Sequence, residues 1–217
     1  MKTALLFGSS GLIGNQLFKI ILKNNNYDKI KIFVRSVVEK NDPKVEIIQT
    51  DFSNLEKHKD LIIGDDCFFC IGTTHKDTPD KNEYRRVEYD IPVNVAQVAK
   101  SNSVNSFIYV SSMGANPNSS GSYLKNKGQV EEELKKMNFA KVAIIRPSIL
   151  LGNRKTFRLG ERIGILVMKA LSIFFLGSLK KYKPIQVERV AKAMVEIAEK
   201  DFEKETFLSD ELEKIGN

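Results

Sequence analysis

Tyr123 and Lys127, four residues apart, form the pair in this sequence best suited to acid–base chemistry. On a helix that spacing puts both side chains on one face. A neighbouring ammonium favours the phenolate and brings a phenol that ordinarily loses its proton near pH ~10 toward working pH, where it can exchange a proton with a carbonyl or an alcohol. Lys127 could also hold a ribose hydroxyl. Upstream, Ser111-Ser112 offers hydroxyls that could bond a substrate oxygen. Alone, Tyr-x-x-x-Lys arises often by chance, and its weight comes from where it falls in the fold.

The second constellation is Gly8-Ser9-Ser10-Gly11-Leu12-Ile13-Gly14, directly after an apolar strand and opening an amphipathic helix. In such a loop the first glycine permits the tight turn and the second lets backbone N–H groups approach a pyrophosphate. The third lets helix pack closely on strand, and the helix N-terminus supplies partial positive charge. A purely structural glycine turn is the alternative, and the strand–loop–helix context argues against it. Where an NAD-preferring site carries an acid on the ribose hydroxyls, this chain has Ile32-Phe33-Val34-Arg35. Arg35 could pair with a 2′-phosphate, which favours NADP and leaves NAD open; an exposed loop arginine is the alternative. Asp51-Phe52 follows the third strand, where the carboxylate could meet an adenine edge or cap the short helix beginning near Ser53. Ile71-Gly72-Thr73 ends the fourth strand at the carboxyl edge, with Gly72 letting the backbone pass close to a nicotinamide ribose. His75 and His58 read as surface residues, since nothing nearby in sequence orients them.

These residues need a frame. Short apolar runs alternate with helical stretches, the pattern of strand–helix–strand units around a parallel sheet, so the expected class is a doubly wound α/β Rossmann fold. Strands are expected at Thr3–Phe7, Lys29–Val34, Val45–Gln49, Asp66–Ile71, Ser106–Val110 and Lys141–Ile145. Helices are expected at Leu12–Lys23, at Asp80–Lys100 with an interruption near Pro92, and at Ser122–Met137, Thr156–Leu179 and Val187–Lys200. Glu205–Ser209 could add a last strand. The 217 residues suit a single domain, with residues of about 150–200 forming substrate-side helices.

The glycine loop, Ser111-Ser112, Tyr123-x-x-x-Lys127 and Arg146-Pro147-Ser148-Ile149-Leu150-Leu151-Gly152 together resemble the short-chain dehydrogenase/reductase superfamily, in its extended and atypical epimerase/dehydratase-like branch. Cys70-Ile-Gly-Thr-Thr74, Ser111-Ser-Met-Gly-Ala115 and Phe175-Leu-Gly-Ser-Leu179 are similar to the small Tat-interacting tumour-suppressor-like reductases within it. That resemblance implies a sheet ordered 3-2-1-4-5-6-7 and NADP across its carboxyl edge. It further implies Tyr123 as acid/base, Lys127 as its partner, Ser111 or Ser112 orienting the substrate, and Pro147 following the strand that lines the nicotinamide. The chain is shorter than full extended members, which argues against sugar-nucleotide chemistry. An NADP-dependent oxidoreductase of a small carbonyl or alcohol is the leading expectation. A cofactor-sensing protein without turnover and an epimerase or dehydratase on a nucleotide sugar are the alternatives.

Composition narrows the partners. A net charge of +7 could attract nucleic acid or an anionic surface, but the lysines are interspersed with acids and no arginine-rich tract alternates with aromatics, so nucleic-acid binding is not expected. Cys67 and Cys70 spell CxxC inside an apolar strand, where positions three apart point to opposite faces and neither share a metal nor pair. Two free thiols suit a reducing cytoplasm, and no metal site is expected. Met1-Lys2 leads straight into the first strand, which argues against a cleavable signal peptide. The apolar run 163–179 is short for a membrane span and carries Lys169, so it reads as a packed helix, with membrane-surface contact a minor alternative. A monomer or homodimer acting on a small molecule is expected, with Gly128 a point where helices of two subunits could approach.

Overall fold

The computed structural model describes residues 2–36, 42–152 and 177–217. Seven strands form one parallel sheet: β1 (Lys2–Phe7), β2 (Tyr27–Val34), β3 (Val45–Gln49), β4 (Asp66–Phe69), β5 (Ser106–Val110), β6 (Lys141–Arg146) and, last in the chain, β9 (Thr206–Leu208). Their order is β3-β2-β1-β4-β5-β6-β9, so the implied 3-2-1-4-5-6-7 arrangement holds with β9 in seventh place. A separate two-stranded pair, β7 (Leu150–Leu151) with β8 (Ile185–Gln186), lies outside it and has no counterpart in the sequence reading.

Burial explains why these segments are strands. Residues 4–7 of β1 and all of β4 are buried, as expected of parallel strands covered on both faces. Alternate side chains feed two cores. Leu6, Phe68, Ile108 and Ile145 meet α1 (Leu12–Lys23) and α5 (Val187–Glu199) on one face. Leu5, Phe7, Phe69 and Ile144 meet α3 (Ile91–Ser101) and α4 (Ser122–Lys136) on the other. A short α6 (Ser209–Ile215) follows β9 and packs on α5. Cys67 joins the second core and Cys70 packs against the first, so the two thiols do lie on opposite faces, both free.

Register aligns Phe33, Phe7, Phe69 and Tyr109 across four adjacent strands, one layer beneath the carboxyl edge. Phe7 stacks on Phe33 at 4.2 Å between centroids and on Phe69 at 5.7 Å, and Phe69 meets Tyr109 at 6.1 Å. Such contacts add about 0.5–1.5 kcal/mol each beyond area burial. At the amino edge the buried Asp66 gathers Lys2 Nζ (3.0 Å), the Tyr27 hydroxyl (2.8 Å) and the Ser106 hydroxyl. One carboxylate thereby joins the starts of β1, β2, β4 and β5.

The expected helix over Asp80–Lys100 is three segments: α2 (Lys81–Arg85), a π turn over Arg86–Asp90, and α3. Pro92 sits in the first turn of α3, where its missing N–H and fixed φ are tolerated, and the wider π turn before it takes up the irregular bonding. The expected β4 loses its last two residues, since Cys70 donates to Phe7 O and the chain then turns into the site. Gly128 faces its own chain: a Cβ there would stand 2.3 Å from Pro117 N, which corrects the expectation that it opens a subunit contact. The expected helix over Thr156–Leu179 and the apolar run 163–179 fall largely outside the described residues. Among the described residues no helix is long and apolar enough to cross a membrane.

Candidate active site

The glycine loop joins β1 to α1 at the carboxyl edge. Gly8 has φ +87°, a left-handed conformation, and its Cα faces the end of β4 so closely that a Cβ would lie 2.8 Å from Cys70 C and Ile71 N. Gly14 packs against the turn it follows; a Cβ there would lie 2.1 Å from Gly8 O. Gly11 is the N-cap of α1, donates its N–H to Gly8 O at 3.0 Å, and puts no side chain over the first-turn amides. No acidic residue occupies that first turn. Ser9 is buried, Ser10 and Gly11 are exposed, Leu12 is half-buried, and Ile13 belongs to the core. The loop therefore offers uncapped N–H groups and the positive end of a helix to an anion, the arrangement that suits a dinucleotide's pyrophosphate.

Around this loop stand the other candidates. Arg35 follows β2 directly, exposed, its backbone carbonyl held by Gln49. Asp51 Oδ1 accepts from Ser53 N at 2.8 Å and from Ser53 Oγ at 2.7 Å in a local turn; the short helix that follows begins at Leu55 with Asn54 as its N-cap and no side-chain cap, which corrects the expected capping role, and the bonds to Ser53 hold the carboxyl below the usual range. Phe52 takes φ +62° in that turn and puts its ring in the core, 6.2 Å from Phe7.

Across the loop, Ile71-Gly72-Thr73 leads out of β4 toward α4, whose first turns carry Tyr123 and Lys127. Tyr123 is 39% exposed, whereas Lys127 is 4% exposed. The lysine Nζ donates to Val110 O at 3.1 Å, lies 3.2 Å from Glu88 Oε2, and stands 4.9 Å from the centre of the Tyr109 ring. Burial alone would favour the neutral amine, but the influence of Tyr109, Glu88 and Tyr123 outweighs it and holds the ammonium above the ordinary lysine range. Gly72 lies beside this pair: a Cβ on it would be 3.3 Å from Glu88 Oε1 and 3.8 Å from Lys127 Nζ. Thr73 donates its N–H to Glu88 Oε1 (2.5 Å), and its hydroxyl meets that of Thr78.

The two serines diverge. Ser111 is buried and donates its hydroxyl to Glu131, which also holds Arg146 through two bonds, Nε at 2.9 Å and Nη2. Ser112 is half-buried, with a long 3.4 Å contact to Met113 O. Pro147 follows β6 and accepts from Met113 N at 3.1 Å, tying the two loops together.

Glu88 and Glu131 are buried carboxylates of the candidate site that the sequence reading passed over. A signal existed for each: Glu88 interrupts the buried stripe of Tyr84, Val87 and Ile91, and Glu131 lies one turn beyond Lys127 on its face. His75 is exposed as expected but is oriented by residues distant in sequence. Its ring stacks on Tyr84 at 3.8 Å, and its Nε2 meets Ser122 Oγ at 2.8 Å, next to Tyr123.

A doubly wound parallel sheet with a glycine loop at the first βα turn defines a Rossmann-type nucleotide-binding protein. Residues 8–201 match the NAD(P)H-binding family, and the chain belongs to that family. The mitochondrial protein FMP52-1 of Scheffersomyces stipitis is 32% identical over 93% of this chain and 90% of its own. Protein HTATIP2 of Rattus norvegicus is 31% identical over 70% of this chain and 67% of its own, in keeping with the resemblance noted above. Among solved structures, the Bordetella bronchiseptica enzyme WbmH in complex with NAD+ superposes with TM-score 0.70 at 18% identity, covering 92% of this chain and 72% of its own. UDP-glucose 4-epimerase from Thermotoga maritima gives TM-score 0.70 at 15% identity, covering 98% and 80%. At these identities both likenesses are of fold. The expectation of a cytoplasmic protein is contradicted: several relatives bear mitochondrial names. Free thiols report a reducing environment and not which membrane encloses it, so the cysteine argument lacked the power to decide.

Proposed function

We propose that this protein is an NADP-dependent oxidoreductase that interconverts a small carbonyl compound and its alcohol. The observation carrying the proposal is an exposed phenol, Tyr123, one helical turn from a buried ammonium, Lys127, at the sheet edge that also bears the glycine loop. When bound, the reduced nicotinamide supplies a hydride to the carbonyl carbon. Tyr123 then gives its proton to the carbonyl oxygen, or removes it from the alcohol in the reverse direction. Ser112, whose hydroxyl has no strong partner among the described residues, donates a hydrogen bond to that oxygen; Ser111 is committed to Glu131 and supports the loop. Lys127 holds the nicotinamide ribose, the amides of residues 9–14 hold the pyrophosphate, and Ile71-Gly72-Thr73 and Pro147 line the nicotinamide. Preference for NADP rests on Arg35 at the end of β2, where an acid would repel a 2′-phosphate.

The test is NADPH and NADH consumption across a panel of aldehydes and ketones. Tyr123→Phe is expected to lower kcat about 10²–10⁴-fold while leaving NADPH affinity intact. Equal rates in the two proteins reject the assignment, and faster turnover with NADH than with NADPH rejects the role of Arg35.

A further inference from the structure

Glu88 has no part in the proton and hydride steps above, yet it is 1% exposed in the middle of the π turn. A carboxylate taken this far out of water is costly unless both oxygens are met. Here Oε1 accepts the Thr73 N–H, while Oε2 accepts no hydrogen bond among the described residues and is met by charge alone, 3.2 Å from Lys127 Nζ. The π turn matters because its extra residue re-aims a side chain relative to a regular helix. Tyr84 on α2 and Val87 in the π turn are buried, and Glu88 reaches past them to the sheet edge. One end of the carboxylate thus holds the strand exit beside Gly72, and the other holds the ammonium on α4.

We propose that Glu88 is the positioning residue of the site, pinning the Lys127 ammonium to the Ile71–Thr73 edge and keeping it charged where the cofactor ribose is to be held. The inference rests on the reading that Lys127 faces the cofactor. Among the described residues, the charged and titratable groups facing Lys127 are Cys70 after β4, Tyr84 on α2, Glu88 on the π turn, Tyr109 on β5 and Tyr123 on α4. Glu88 is the one carboxylate among these. Burial drives Tyr109, Tyr84 and Cys70 toward their neutral forms, so none of them substitutes for its charge at neutral pH. Without Glu88, burial acts on Lys127 unopposed by a formal charge, and buried lysines then lose their proton far below the ordinary value.

The test uses the full chain and two readouts, the ¹³Cε titration of Lys127 without cofactor and calorimetric NADPH affinity against pH. In Glu88→Gln the amide oxygen still accepts from Thr73, so the fold is kept while the charge goes. Wild-type Lys127 is expected to stay protonated as far as the fold survives, whereas in Glu88→Gln its midpoint is expected to enter that range, with NADPH affinity declining above it but not below it. Lys127→Met is expected to remove that pH-dependent part. A Lys127 that stays protonated over the same range in Glu88→Gln, beside a lowered melting temperature, makes Glu88 merely structural and overturns the proposal. If Glu88→Gln does not fold, Glu88→Asp, which keeps the charge but withdraws it by one methylene, is expected to bring Lys127 into titration at the upper end of the same range; a lysine still fully protonated there overturns it equally. Because the titration needs no turnover, a moved midpoint beside an inactive panel would sink the enzymatic reading and leave this one standing.

Discussion

Ser111 and Ser112 are neighbours in the chain with opposite obligations, and single substitutions separate them. Ser111→Ala removes a donor from the buried Glu131, which among the described residues then keeps Arg146 alone, and leaves part of a carboxylate desolvated and unmet. A loss of about 1–3 kcal/mol in thermal stability is expected, read by calorimetry. Ser112→Ala should leave the melt unchanged and lower kcat by roughly 10²-fold, the size of losing one donor aimed at a developing oxyanion. If the two phenotypes exchanged places, the assignment of hydroxyls would be reversed. The sequence alone left this choice open, because adjacent residues share a neighbourhood but not a direction, and direction is set by Glu131 arriving from another element. His75 shows the same limit: its partners, Tyr84 and Ser122, come from two helices, and neither pairing leaves a periodic trace in the chain.

At the scale of elements, two close approaches fix how the site is held. A Cβ at Gly14 would collide with Gly8 O, and one at Gly128 would collide with the backbone of Asn116 and Pro117, the loop that leads into α4. Asn116 also donates its N–H to Leu124 O at 3.0 Å, so this loop and the first turn of α4 move as one piece. Gly14→Ala and Gly128→Ala should each cost about 1–3 kcal/mol from overpacking against backbone that has little room to yield. Their functional signatures differ: Gly14→Ala is expected to weaken NADPH binding, and Gly128→Ala to lower kcat by displacing Tyr123, as binding calorimetry and steady-state rates can separate. A Gly128→Ala protein with unchanged kcat would show the loop able to shift without consequence. The glycine loop was legible because its spacing encodes a local turn and a helix start. The π turn was not, because one extra residue in a helix leaves the apolar spacing nearly intact, and with it went Glu88.

Over the whole molecule, burial sets the alkaline limit. It raises Cys67, pushes Cys70 and Tyr84 up to about 12, and holds Tyr27 and Tyr109 well above the ordinary tyrosine range. In the unfolded chain these groups ionise from their reference values of 9.0 for cysteine and 10.0 for tyrosine, while in the folded chain they stay neutral. Folded values above unfolded ones mean that stability is complete below pH ~9 and is lost progressively as pH climbs toward 12. Melting temperature is expected to be level from pH 7 to about 8.5 and then to drop, with Cys67→Ala/Cys70→Ala delaying the onset. A flat profile to pH 11 would contradict these burial shifts. Asp66 bears on the same frame from the other side. Because that single carboxylate gathers the beginnings of four strands, the sheet has a fixed hinge line along its amino edge. Any widening needed to admit a bulky guest between the glycine loop and the Ile71–Thr73 exit must fan outward from that line. Breathing is thereby confined to the side where the guest enters, and amide exchange should be slowest at residues 3–5 and 66–67.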